Sequence, residues 1–460
     1  MKNKNISSNR RTFLKKAGMG GLGLGLLLGS SLEAQIEALT GEVSRYSGPS
    51  DLKITDMRIA QVGNVPIVKI YTNQDVYGLG DVRDGADPRY ALMLKSRILG
   101  ENPCNVERIF RIIKQFGDHG RQGGGVSGVE MALWDLTGRV YGVPLCQLLG
   151  GKYRDRVRIY VDTPTVKQPE AFAEKMKERK EQGFTIMKMD IGIGLIKDIP
   201  GTLTNMEYWD ELRGWDSRRG TYGSTMHPFT RVQITEKGIA EMVNYVAAMR
   251  DAIGWEIPVG IDHVGHMGVN SMIRLGRAFE PYNIAWLEDL IPWQYTDQWM
   301  EISRAIEVPT MTGEDIYLKE GFRELIEKRA VDIVHPDPVT AGGYLETKRI
   351  GDFAQEHGIA MALHHASSPV TFMGCVHTAA ATENFIALEH HSVDKTWWED
   401  LVTGLDKPLV KDGYVEVPEK PGVGVDLNEE AVREHLREGE ELFAPTEEWN
   451  RRQSWDRQWS

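Results

Sequence analysis
Asp262, Glu288 and Glu314 each follow a short apolar run, and they are evenly spaced, since 288 − 262 and 314 − 288 both give 26. The runs are Ile257–Ile261, Ile284–Leu287 and Val308–Gly313. Three carboxylates brought together repel one another unless positive charge lies between them, and an all-oxygen set suits Mg2+. Other apolar runs also end in reactive side chains: Lys188 and Asp190, His335 and Asp337, His364 and His365, and Glu389. His263 and His266 follow closely on the first acid. This inventory suits one demanding reaction, removal of a proton α to a carboxylate. That carbon acid lies on the order of 20 pK units above imidazole, at about 1.4 kcal/mol per unit. No side-chain base closes the gap alone, but positive charge at the substrate carboxylate narrows it and a positioned base then suffices.

Elements must carry these residues to one place. An interval of 26 residues is about one strand–helix unit of a (β/α) barrel. Short apolar runs bounded by turn residues read as strands buried on both faces, and Ser271–Glu280 and Thr296–Ile306 between them carry helical spacing. All strands of a parallel barrel end on the same face, where active sites sit, so acids at consecutive strand ends converge. The alternative is that each acid merely caps the helix after it. Further strand–helix units fit from Val157–Asp162 and Thr185–Asp190 to Val331–Asp337, Ile359–His364 and Phe385–Glu389. Lys188 and Asp190 share one side of their strand by alternation.

Ahead of the barrel, Ile54–Ala60, Val65–Thr72 and Tyr77–Asp81 alternate like an antiparallel meander. Helices are predicted at Arg89–Leu99, Val106–Phe116 and Val126–Tyr141, the last after a glycine-rich loop, Asp118–Gly125. That loop lacks Gly-Lys-Ser/Thr and is no P-loop; it reads as a flexible connection. An irregular insertion from Ile191 to about Arg231 is long enough for a lid or pocket wall. Its Trp209, Trp215, Tyr222 and His227 are candidates to line a sugar pocket or to pack as core. At the N-terminus, Asn9-Arg-Arg-Thr-Phe-Leu-Lys15 matches the twin-arginine pattern and precedes a Gly/Leu-rich run, Ala17–Leu28. Export to the periplasm is expected, with no membrane span in the mature chain. A net charge of −12 without a basic stripe argues against nucleic acid. Cys104, Cys146 and Cys375 are odd in number and unclustered, which excludes a full disulfide framework.

Several stretches resemble the mandelate racemase/muconate lactonizing enzyme family of the enolase superfamily. They are Gly128–Leu136, Leu148-Leu-Gly-Gly151, Trp286-Leu-Glu-Asp289, Thr312-Gly-Glu314, Pro336-Asp337 with Gly342-Gly343, and Ala362-Leu-His364. The resemblance implies a (β/α)7β TIM-like barrel under an N-terminal α+β capping domain, and barrels of this family commonly form homo-oligomers. The expected divisions are a signal segment at 1–35, the cap at 52–155, the barrel at 156–395, and a tail at 396–460 packing back on the cap. On the family's pattern Asp262, Glu288 and Glu314 hold Mg2+, and Asp337 orients His364 and raises its basicity. Racemases of the family place a second lysine where this chain has Asp190.

The expected activity is therefore dehydration of a sugar acid to a 2-keto-3-deoxy acid. His364 is the base, Lys188 a contact to the substrate carboxylate or a second base, and Glu389 a hydrogen-bonding or electrophilic group. His266 or His263 is the candidate acid, unless His364 returns the proton itself. Asp190, His263 and His365 are candidate substrate contacts. Racemisation, epimerisation or cycloisomerisation through the same enediolate is the alternative chemistry, and a non-catalytic ligand-binding relative the alternative class.

Overall fold
The computed structural model describes residues 51–117, 122–205 and 229–451. Three antiparallel strands open the described chain: β1 (Ile54–Val62), β2 (Val65–Thr72) and β3 (Tyr77–Asp81), in the order β1-β2-β3. The helix Gly123–Tyr141 lies across them, burying Val126, Val129, Leu133, Leu136 and Val140 against Met57, Val68 and Ile70. The strands and helices of this unit form the α+β cap.

Eight parallel strands follow: β4 (Arg156–Val161), β5 (Met187–Asp190), β6 (Val259–Asp262), β7 (Trp286–Glu288), β8 (Thr310–Thr312), β9 (Ile333–Val334), β10 (Ala360–Leu363) and β11 (Phe385–His390). Each pairs with the next, and β11 closes on β4 through Leu388↔Ile159, Glu389↔Tyr160 and His390↔Val161. Strand alternation sorts the barrel interior into two levels. Tyr160, Ile186, Trp286, Met311, Ile333, Ala362 and Ala387 form an apolar floor, and the inward positions one step further along include Asp162, Lys188, Glu288, His335, His364 and Glu389. The other strand faces pack against the surrounding helices in the largest core cluster.

Past the barrel the chain turns back. β12 (Val402–Thr403) pairs with β14 (Asp426–Leu427), and between them β13 (Tyr414–Glu416) lies antiparallel on β4. Tyr77 Oη donates to Asp426 Oδ2 at 2.6 Å, and Arg437 N donates to Gln61 O at 2.8 Å, so the tail also grips the cap meander.

Two sequence expectations change. Arg89–Leu99 is not one helix but two turns, Arg89–Leu92 and Lys95–Ile98. Lys95 is turned inward there, its ammonium 2.5 Å from Asp56 Oδ1 and donating to Thr446 O at 3.0 Å. The glycines of the expected flexible loop are helical instead, since the helix begins at Gly123. A Cβ at Gly124 would stand 2.6 Å from the Arg83 backbone nitrogen, so glycine is what lets the helix reach this strand's end. Residues 118–121 of that loop, most of the 191–231 insertion with Trp209, Trp215, Tyr222 and His227, and the twin-arginine segment lie outside the described residues.

Candidate active site
Asp262, Glu288 and Glu314 come together as the even spacing requires. One oxygen from each lies within 4.8 Å of the others. They do not cap the helices that follow, whose N-caps are Gly268, Tyr295 and Tyr317. Burial pushes the Glu288 carboxyl well above its ordinary value, and the Asp262 charge adds to this. Burial also raises Glu314, although the Arg83 guanidinium opposes it. The cluster is therefore short of positive charge, and its donors are all oxygen. Such a set fits a hard divalent cation.

Lys188 supplies part of the missing charge. Its fully buried ammonium lies 2.8 Å from Asp262 Oδ2, 2.6 Å from Glu389 Oε1, 3.5 Å from Glu288 Oε1 and 3.8 Å from Asp162 Oδ1. Burial alone would lower its pKa, yet these four carboxylates hold it well above the ordinary value. A lysine so held is a counter-ion and a poor proton acceptor. Glu389 is kept well below its usual range by Lys188 and His391 against the effect of burial. Its Oε2 accepts from Tyr160 Oη at 2.8 Å; Tyr160 Oη lies 2.7 Å from His335 Nε2, and His335 Nδ1 is 3.0 Å from Glu288 Oε1. The carboxylates thus stand on a connected buried network.

Across the mouth, His364 Nδ1 lies 2.6 Å from Asp337 Oδ2, and His364 Nε2 is 3.1 Å from Glu314 Oε2. Asp337 Oδ1 is held in turn by Val339 N at 2.7 Å. A third group enters this dyad. Arg83, just past β3 in the cap and 1% exposed, donates from Nη1 to Asp337 Oδ2, places Nη1 2.8 Å from His364 Nδ1, and donates from Nη2 to Glu314 Oε1 at 3.1 Å. The rise in His364 basicity expected from Asp337 is therefore offset. Burial first and Arg83 second hold His364 well below its ordinary value, hence neutral.

The remaining candidates separate. Asp190 is buried beside Asp262 in the β5–β6 register. His263 is 62% exposed in its side chain, with Nε2 3.7 Å from both Asp190 and Asp262. The Asp262 charge raises it to about 9. The first residues of the insertion pin this loop, Ile191 N donating to Asp262 O and Ile193 N to Val264 O, both at 3.2 Å. His266 is half-buried and lines a cavity of about 320 Å3 with Asp289, Trp293, Thr312 and Glu314. His365 is not on the substrate side: its ring turns behind β10, Nε2 3.1 Å from Thr371 Oγ1, against Phe372. Strand alternation is the reason, because neighbours on a strand face opposite ways.

Arg83 and His391 are among the site residues that went unrecognised in the sequence. Arg83 gave no signal, being 231 positions from Glu314. His391 stands at the mouth with Nδ1 3.2 Å from Asp162 Oδ2 and its ring 5.3 Å from that of His364. Its place two residues after Glu389 puts both on one face of the strand, which is a legible signal.

A closed parallel barrel with strand-end carboxylates at its mouth, beneath an α+β cap, defines an enolase-type protein. Residues 35–150 match the mandelate racemase/muconate lactonizing enzyme N-terminal domain, and residues 171–431 the enolase C-terminal domain-like family. The chain belongs to the mandelate racemase/muconate lactonizing enzyme family. It is similar to a D-xylonate dehydratase of Haloferax volcanii, 35% identical over 408 residues, covering 86% of this chain and 92% of that one. A D-galactonate dehydratase family member of Cellvibrio japonicus is 27% identical over 84% of this chain and 95% of its own. The crystal structure of a mandelate racemase/muconate lactonizing enzyme-like protein from Rubrobacter xylanophilus matches with TM-score 0.75 at 34% identity, over 86% of this chain and 100% of that one. Among the described residues no helix is long and apolar enough to cross a membrane.

Proposed function
We propose that this protein is a Mg2+-dependent sugar-acid dehydratase, a hydro-lyase converting an aldonate or aldarate into a 2-keto-3-deoxy acid and water. The observation that carries the reading is the convergence of Asp262, Glu288 and Glu314 at the mouth, with His364 Nε2 3.1 Å from Glu314 Oε2 beside them. The chain's likeness to a D-xylonate dehydratase supports the substrate class.

The three carboxylates would hold the ion. When bound, a divalent ion there supplies positive charge to the substrate carboxylate as its α carbon loses a proton. His364, kept neutral by its surroundings, takes that proton on Nε2, while Asp337 accepts from Nδ1 and is itself held by Arg83. Lys188 and Glu389 stay paired beneath, which gives the site a rigid charged base. Lys188 is held as a cation, and this favours one-base elimination over racemisation by two bases on opposite faces.

The test is a screen of D-xylonate, D-gluconate, D-galactonate and aldarates with Mg2+, read by semicarbazide for 2-keto acids. Keto-acid formation that His364→Asn abolishes is expected. Recovery of both epimers carrying solvent deuterium, with no keto acid, would establish an epimerase instead. Binding of Mg2+ measured by calorimetry should weaken at least 100-fold in Asp262→Asn, in line with what loss of a ligand's support costs. The Asn9–Lys15 pattern supports export by the twin-arginine route, checked by fusing residues 1–50 to a reporter active only after export. Assembly as a homo-oligomer is part of the same proposal, checked by light scattering.

A further inference from the structure
Two imidazoles meet at the mouth with opposite surroundings. His364 ends β10, and His391 follows β11; their ring centroids are 5.3 Å apart, with 57° between the planes. The register that closes the barrel, His390↔Val161, brings His391 opposite Asp162. Asp162 Oδ2 lies 3.2 Å from Nδ1. Nε2 is 3.1 Å from Glu389 Oε1, yet neither atom makes an aligned hydrogen bond. The ring thus lies between two carboxylates, one facing each nitrogen.

The charged and titratable groups around it are Asp162 on β4's end, Glu389 on its own strand, His364 on β10, and Lys188 and His335 below Glu389. Burial works against a charged ring, but Glu389 and Asp162 outweigh it and hold His391 well above its ordinary value. His364 stands opposite, its Nε2 3.1 Å from Glu314 Oε2 and 3.8 Å from Glu389 Oε2. An acid and a base set side by side can serve one elimination.

Elimination of water needs both functions, because hydroxide is a poor leaving group. A donor or acceptor works at about 3 Å from its atom, so rings 5.3 Å apart suit hydrogen and oxygen on adjacent carbons. We propose that His391, held between Asp162 and Glu389, is the general acid that protonates the departing β-hydroxyl, with Asp162 its positioning residue. His364 takes the proton from C2, and the C–H electron pair passes into the carboxylate. That pair returns to form the C2–C3 double bond as the C3–O bond breaks, and the oxygen leaves as water with the His391 proton. The enol then gains a proton at C3 from His364 and gives its hydroxyl proton to solvent, from which His391 is recharged. One water is lost and nothing is oxidised or reduced.

The inference rests on the dehydratase reading, so the two must be separable. Wild type and His391→Asn are compared with D-xylonate and 3-deoxy-3-fluoro-D-xylonate in deuterated water with Mg2+, thermal melts confirming that the variant folds. Dehydration by His391→Asn should fall roughly 100- to 10,000-fold, the usual contribution of a positioned acid. It should still exchange the C2 proton for deuterium in recovered xylonate and release fluoride, which needs far less protonation, within about 10-fold of wild type. His364→Asn should lose exchange and both eliminations. Parallel loss of exchange and dehydration in His391→Asn, equal impairment on the fluoro substrate, or unimpaired dehydration overturns the acid role alone. A wild type that dehydrates neither this nor any other sugar acid overturns the dehydratase reading and the inference with it.

Discussion
Lys188 touches four carboxylates and has no apolar escape, so its removal isolates a consequence of charge. In Lys188→Met the stem is matched in volume, but Asp262, Glu288 and Glu389 lose their common partner. Leaving buried charge unpaired costs about 3–5 kcal/mol, far more than the net worth of an intact pair. Urea unfolding without added metal should show that loss. Mg2+ should restore more stability to the variant than it adds to wild type, because the ion replaces the missing charge. Equal gains in both would place Lys188 outside the metal's electrostatics. Arg83 poses the converse question of geometry. Its guanidinium contacts Asp337, His364 and Glu314 together, a fork that an ammonium cannot reproduce. Arg83→Lys should keep the charge yet lower kcat about 100-fold, as small misplacements of a catalytic group do, with KM little changed.

Arg83 is placed by a helix, and the argument there belongs to the element. Gly124 sits where the helix Gly123–Tyr141 meets the end of β3, and a Cβ would stand 2.6 Å from both the Arg83 nitrogen and its Cβ. Neither is the free end of a flexible side chain, so helix or strand must move. Gly124→Ala should cost about 1–3 kcal/mol, as overpacking does. It should lower kcat in the same sense as Arg83→Lys, because the displaced backbone carries the guanidinium off Asp337. Steady-state kinetics beside a denaturant titration checks both halves. This contact also shows where the sequence stops being legible. Asp262, Glu288, Glu314, Asp337 and His364 could be read because each ends a strand, and strand ends of one parallel barrel share a face. Glycines 123–125 read as a linker because glycine in a loop and glycine at a close approach look alike in one dimension. His365 misled for a simpler reason: adjacent histidines on a strand face opposite ways, and only one reaches the mouth. Arg83 arrives from another domain, and no local pattern reports a contact made across 231 residues.

At the scale of the whole molecule, buried cap carboxylates hold barrel helices by their N-termini. Asp81 Oδ2 accepts from Ser368 N at 2.9 Å at the start of the helix Pro369–Ala380, which follows the strand of His364. Glu130 accepts from Tyr344 N at 2.8 Å and Leu345 N at 3.1 Å at the start of Tyr344–Glu356, in the unit that carries Asp337. The cap therefore fixes the two units that bear the base and its partner, and it also delivers Arg83 to them. Burial lifts Glu130 from 4.5 to about 8, although its backbone donors pull the other way. A carboxyl raised on folding binds its proton more tightly in the folded chain. Its contribution is then complete below pH 4.5 and is lost as the pH climbs through about 8. Glu130→Gln keeps the shape without the titration. Its own defect is constant with pH, since one amide donor faces a backbone N–H in place of an acceptor. The margin in melting temperature by which wild type exceeds Glu130→Gln should therefore be widest near pH 5 and narrow steadily towards pH 8.5. A margin that stayed level or widened would mean that Glu130 is ionised throughout, gripping the helix by charge at every pH.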